Sequence, residues 1–344
     1  MREWKSPNAI APTRVITAGL GRMPHKYTGI QTKTCKGNLT MNDKKKLTWL
    51  LFHEPAELFI RTAEHFGEEI NKLTGDKYEI EILKLDEYND IYNNGKPTDP
   101  MAELRAGRVQ MSQLYTNSLA QMDATDFFAL ALPFLFKDHD HCTRVLEGEI
   151  GDELRSHVHD KLNVRSLSFT YSGGYKCMAS DKPVVTVEDF ASMTAKYVRS
   201  PVFAETFKAL GMGSKDSDAN TTQTTLPRYH VEASASQKHV INTNHSMYLT
   251  TILMNDEMWQ GMSVDEQMNF KEAAKICARA ERIKSVADAD EIKNDVSKQA
   301  ERGIESIGDL SEAESEKLRA KLVPVTDKFA KFFGNDLVDR IRKS

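Results

Sequence analysis

Apolar positions along the chain recur in two periods, short runs that alternate with polar residues and longer stretches with an apolar face every third or fourth residue. Lys46–Phe52 reads as an apolar strand, and residues 56–73 place Leu58, Phe59, Ala63, Phe66 and Ile70 on one face of a helix. Thr74-Gly75-Asp76 ends that helix and Tyr78–Leu85 alternates again, so residues 46–85 predict a strand–helix–strand unit with parallel pairing. Met101–Leu104 predicts a helical turn, and Val109–Leu114 a strand that ends at Tyr115-Thr116-Asn117. Phe127–Phe136 is the most apolar segment and is too short to cross a bilayer. Lys137–His141 predicts a helix start, and Arg144–Leu162 an amphipathic helix through Val145, Leu146, Ile150, Leu154 and Val158.

The densest sequence of signals lies in residues 166–211. Ser166–Tyr171 alternates as a half-buried strand does, Gly173-Gly174 marks a turn where positive φ is easiest, and Tyr175–Ala179 resumes the strand. Thr186 stands as N-cap before Val187-Glu188-Asp189, Lys196–Arg199 predicts another short strand, and Val202–Leu210 a helix stopped by Gly211. Residues 212–239 are rich in Ser and Thr, and Pro227 is expected to interrupt a helix there. Tyr248–Met254 predicts a strand. Ser263-Val264-Asp265-Glu266 caps a proline-free and glycine-free run from Val264 to Arg302, one long or slightly broken helix. Pro324 reads as a break before a final helix over Phe329–Ile341, and residues 1–45 as an irregular N-terminal extension.

At 344 residues the chain is long enough for two domains, and a net charge of −4 with 28% charged and 40% hydrophobic residues describes a globular class with no electrostatic case for nucleic acid as partner. The four cysteines, Cys35, Cys142, Cys177 and Cys277, are scattered without zinc spacing and lean towards free thiols. His139, His141, His157 and His159 invite a metal reading, but histidines two apart on a helix diverge, and solvated surface is the alternative; no metal and no cofactor is expected. A G-x-S-x-G elbow, a phosphate-binding glycine loop and an H-E-x-x-H pair are all absent, so the sequence offers no enzyme.

Arg199 is the main candidate for binding. It stands between a strand and a helix start, where a guanidinium beside unpaired backbone N–H groups suits a planar carboxylate; the alternative is an ion pair with a neighbouring acid. K-P-V-V-T-V-E-D-F at residues 182–190, then K-Y-V-R-S-P at 196–201 and a helix ending in Leu210-Gly211, resembles the DctP-type solute-binding proteins of TRAP (tripartite ATP-independent periplasmic) transporters. E-L-R-A-G-R-V-Q-M at 103–111 and L-P-F-L-F at 132–136 resemble the same family. The resemblance covers residues 47–211 and 240–341.

It implies a two-lobed α/β fold of the periplasmic-binding-protein kind, with a long helix spanning both lobes: lobe I from residues 46–165 with 250–344, lobe II from 166–249. It also implies a small organic acid as ligand, gripped by Arg199, and TRAP membrane permease subunits as partners. Lys176 falls where the family often carries a second arginine and supplies a point charge in place of a planar fork. Glu232 could stand for the acid of a pocket-forming turn. Tyr115 and Asn117, at a strand's carboxyl edge, are either ligand contacts or core-edge residues. Phe169 and Tyr171 either wall the cleft or pack in the core, and His53 and Glu54 either reach the ligand's distal polar groups or cap a helix. The resemblance implies a periplasmic location, while residues 1–45 read as carrying no secretory signal. A cytoplasmic or repurposed ligand sensor or adaptor of the same fold is therefore the second reading.

Overall fold

A computed structural model describes residues 44–196, 199–215, 217–333 and 336–344. The predicted extension over residues 1–45, Cys35 within it and the reading of a leader there fall almost wholly outside the described residues.

Strand β1 (Lys45–Leu51), helix α1 (Glu57–Thr74) and strand β2 (Tyr78–Lys84) form the expected unit, the strands parallel and in register from Lys45↔Tyr78 to Leu51↔Lys84. All five apolar positions read on α1 are buried, and Phe59, Ala63, Phe66 and Ile70 pack with Trp49, Tyr78 and Phe270 in one core cluster. Helices α2 (Leu85–Tyr92) and α3 (Pro100–Arg105) lead to β3 (Met111–Tyr115), which lies parallel to β1 and runs directly into α4 (Thr116–Gln121). The apolar segment beyond it begins as a 3-10 helix, Thr125–Ala131, and fills the main core.

The single helix predicted over 144–162 is two, α5 (His139–Glu147) and α6 (Glu149–Leu162), because the chain turns at Gly148. The turn brings Gly151 so near the end of α5 that a Cβ there would lie 2.0 Å from the Leu146 carbonyl oxygen. Its histidines are spoken for separately: His141 is buried and bonds the Ile341 carbonyl at 2.8 Å, while His157 pairs with Asp126 at 2.5 Å.

The two strand runs and turn predicted over 166–179 are one strand, β4 (Val164–Ser180). Gly173 (φ 88°) and Gly174 (φ 77°) do take positive φ, but within the strand, as an irregularity where the register shifts. Beyond a 3-10 turn at Val187–Ser192, capped by Thr186 as expected, come β5 (Thr194–Lys196) and α7 (Pro201–Ala209). The strand predicted at 196–199 thus lies earlier; residues 197 and 198 are outside the described residues, and Arg199 stands in a bend.

Next are β6 (Gly213–Lys215), β7 (Thr221–Thr225) and α8 (Leu226–Glu232). Pro227 stands in the first turn of α8 and does not interrupt it, since that turn has no use for the missing N–H. Strands β8 (His239–Asn242) and β9 (Met247–Asn255) follow, then α9 (Asp256–Gln260), α10 (Val264–Asn294), α11 (Val296–Glu301), β10 (Ser306–Asp309), α12 (Glu312–Phe329) and α13 (Leu337–Lys343). The helix predicted at 264–302 is slightly broken, at Asp295. Pro324, expected to break the chain, lies inside α12, where buried Leu318, Leu322, Val325 and Phe329 carry the helix across the lost hydrogen bond; the final helix starts at Leu337.

The strands follow the order β2-β1-β3-β9-β4-β7-β5-β6, with β8 also on β4 and β10 on β8. Before its two glycines β4 pairs with β9; after them, Lys176–Ser180 pairs with β7 and Met178–Ser180 with β8. Helix α10 lies along β4 and touches both α1 and α8, so it spans the two halves of the sheet.

Candidate functional site

Parallel β1 and β3 end on the same edge of the sheet, which brings His53 and Glu54 beside Tyr115 and Asn117. Antiparallel β9 starts at that edge and adds Tyr248. The far half of β4 contributes Lys176, α7 Phe203 and α8 Arg228. The rings of Tyr115 and Tyr248 stack at 4.0 Å between centroids, and the His53 ring lies 6.0 Å from Tyr115 and shares a 3.0 Å hydrogen bond with the Tyr248 hydroxyl.

Two cations converge on these rings. Lys176 is 1% exposed; its Nζ donates to the Tyr115 hydroxyl at 3.1 Å and sits 3.9 Å over the Phe203 ring. Arg228, its side chain 9% exposed, lies 4.5 Å over the Tyr248 ring and donates to the Glu54 carbonyl at 2.5 Å and the Ser172 hydroxyl at 3.2 Å. Glu232, 3.6 Å from Arg228, is the acid nearest to the pair in the described structure, and its side chain is 43% exposed. Among the described residues no carboxylate is bonded to Lys176.

The electrostatics follow from burial. Burial first, and the Arg228 charge second, hold the Lys176 amine well below its ordinary range and push His53 down to about 3. Buried His245 is lowered to about 3 by burial first and by the Lys176 charge second, while burial raises the Tyr115 hydroxyl and lifts that of Tyr248 to about 12. Glu232 is raised, by burial more than the nearby arginine lowers it. The cluster is a buried lining of aromatic and neutral polar groups into which two basic side chains are pressed, and among the described residues Glu232 pairs with Arg228 while no carboxylate pairs with Lys176.

Of the residues singled out in the sequence, His53, Glu54, Tyr115, Lys176 and Glu232 come together here. Glu54 does so through its carbonyl, since its carboxylate accepts from the Ala56 N–H ahead of α1. Asn117 is buried two residues beyond Tyr115, in the first turn of α4. Phe169 and Tyr171 are not brought to Lys176: Phe169 packs on Phe127, and Tyr171 meets His139 at 3.2 Å. Arg199 is exposed, ahead of the α7 N-cap Ser200, and among the described residues it forms no ion pair. Arg228, Tyr248 and Phe203 escaped sequence reading. The Leu226-Pro227-Arg228 start of a helix after a threonine-rich strand was the available signal for the first.

The model of bacterial extracellular solute-binding protein family 7, DctP, matches residues 52–235 and 229–332. The C4-dicarboxylate-binding periplasmic protein DctP of Rhodobacter capsulatus is 23% identical over 305 residues, 81% of this chain and 85% of its own. The fold is similar to TRAP periplasmic solute-binding proteins from Sulfurospirillum deleyianum with bound succinate (TM-score 0.72, 20% identity) and from Polaromonas bound to D-erythronate (0.73, 19%). Each comparison covers 87% of this chain and 98% of the other.

Proposed function

Because this chain belongs to bacterial extracellular solute-binding protein family 7, the DctP family, we propose that it captures a small organic acid between its lobes, the carboxylate held by Lys176 and Arg228. The observation that carries this reading is the burial of both cations against the same Tyr248 ring, at 5.7 and 4.5 Å, with no carboxylate among the described residues bonded to Lys176. An ionised group kept from water is costly unless it is paired, so the pair is built for a charge that arrives from outside. The R. capsulatus relative is named for C4-dicarboxylates, and the solved relatives hold succinate and D-erythronate, which agrees with an acid of that size.

Lobe I comprises residues 46–165 with 250–344 and lobe II residues 166–249, and β4 and β9 cross between them. Arg199 adds a third cation on closure: it lies four residues before Phe203, which covers Lys176, so movement of α7 carries both. The acid is then delivered to TRAP membrane permease subunits, from a periplasmic location.

Thermal unfolding with mono- and dicarboxylates tests the reading. Saturation at about 100 times the dissociation constant adds about 2.7 kcal/mol, a rise of a few degrees in Tm. The rise is expected to vanish in Arg228→Leu and to shrink in Arg199→Ala. An equal rise in Arg228→Leu, or none in the wild type with any acid, overturns the site; an unchanged rise in Arg199→Ala removes that residue alone.

A further inference from the structure

Two residues along the chain from the tyrosines that enclose Lys176 are buried polar groups without a partner among the described residues. Asn117 is 1% exposed, and neither its carbonyl oxygen nor its amide nitrogen has a hydrogen-bond partner among the described residues; the buried Ser246 hydroxyl is also without one. Their positions are fixed by the ladders around Tyr248. Tyr115 pairs with Thr250, and the Thr116 hydroxyl donates to the Leu249 carbonyl at 3.0 Å, so the start of α4, which carries Asn117 two residues after Tyr115, is held against the β9 end that carries Tyr248. Ser246 stands two residues before Tyr248, and its carbonyl accepts from the Lys176 N–H at 2.9 Å. Each unsatisfied side chain thus stands two residues from a tyrosine whose ring Lys176 approaches, Asn117 from Tyr115 and Ser246 from Tyr248.

From this juxtaposition, which rests on the anion site proposed above, we infer that Asn117 and Ser246 select a hydroxycarboxylate, an acid with a hydroxyl near its carboxylate, over the unsubstituted acid of the same length. A carboxylate only accepts hydrogen bonds. It can answer the Asn117 amide nitrogen or the Ser246 hydroxyl but leaves the Asn117 carbonyl oxygen unpaired. A hydroxyl donates and accepts, and so fills what the carboxylate cannot. A site that hydrogen-bonds a hydroxyl discriminates against the analogue lacking it, because the buried partners are then stranded.

Isothermal titration of the full chain with matched pairs, succinate against L-malate, propionate against L-lactate and butyrate against D-erythronate, tests this. At least one hydroxy acid is expected to bind about tenfold or more tightly than its partner. That ratio should collapse towards one in Asn117→Leu, and Ser246→Ala, a smaller change, should reduce it should the first variant fail to fold. Equal or tighter binding of the unsubstituted acids, or a ratio that survives both substitutions, overturns the selectivity and leaves the anion site standing. A wild type that binds none of the six overturns both.

Discussion

At the scale of single residues, Lys176 is the most informative side chain. Its ammonium is enclosed by Phe203, Tyr115 and Tyr248, with Arg228 adding repulsion and His245 neutral beside it. Its pKa in the folded chain lies below that of the unfolded one, so between the two values the unfolded state holds more protons and stability rises with pH. Lys176→Met is therefore expected to stabilise the empty protein, by about 1–4 kcal/mol as for other buried charges replaced by apolar groups, while abolishing acid-induced stabilisation. Urea unfolding with and without ligand checks both; a destabilised empty variant would count against the assignment. In the wild type, an acid that binds here favours the ammonium, so at a pH where the empty amine is partly deprotonated binding takes up a proton, read by titration in buffers of different ionisation enthalpy.

At the scale of elements, the two-glycine irregularity in β4 decides how the strand serves both halves of the sheet. A Cβ on Gly173 would lie 2.1 Å from the Thr225 hydroxyl oxygen, and its φ of 88° is one that side chains disfavour. Gly173→Ala is expected to cost about 2–4 kcal/mol, from a strained backbone and a forced displacement of β7, measured as a lower urea midpoint. Gly174→Ala, with 3.6 Å to its nearest neighbour, should cost less. Such local signals were legible in the sequence: the α1 face, the Ser263 cap and the positive φ at Gly173-Gly174 follow from patterns a few residues long. Non-local outcomes were not. Whether the glycines turn the chain back or shift its register depends on β7 and β9, far away in sequence. Whether Pro324 ends a helix depends on what packs around it. The site divides along the same line, since Lys176 and Tyr115 lie in recognisable motifs whereas Arg228 matters only because α8 folds back over Tyr248.

At the scale of the molecule, α10 ties the parts together. Arg61 of α1 makes two 2.6 Å bonds to buried Glu281, Ser285 donates to Glu281 at 2.8 Å, and the Ser285 hydroxyl accepts from the Gly173 N–H at 3.1 Å. Burial raises the Glu281 pKa even with its partner present, so its contribution to stability is lost as pH rises through the carboxylate range. Arg61→Leu should cost about 3–5 kcal/mol, more at pH 8 than at pH 5, in urea unfolding at the two values; a pH-independent loss would exclude an uncompensated Glu281 as its cause.

The same closed packing holds Cys142, Cys177 and Cys277 as free, buried thiols, with burial pushing Cys142 and Cys277 up to about 12. Disulfide exchange needs a thiolate that can be reached. In a family of extracellular proteins, these sulfurs remain reduced only as long as the chain stays shut over them. Each unfolding event exposes three reactive groups to whatever oxidant surrounds the molecule, so an opening that lasts long enough to cross-link them turns a reversible excursion into permanent loss.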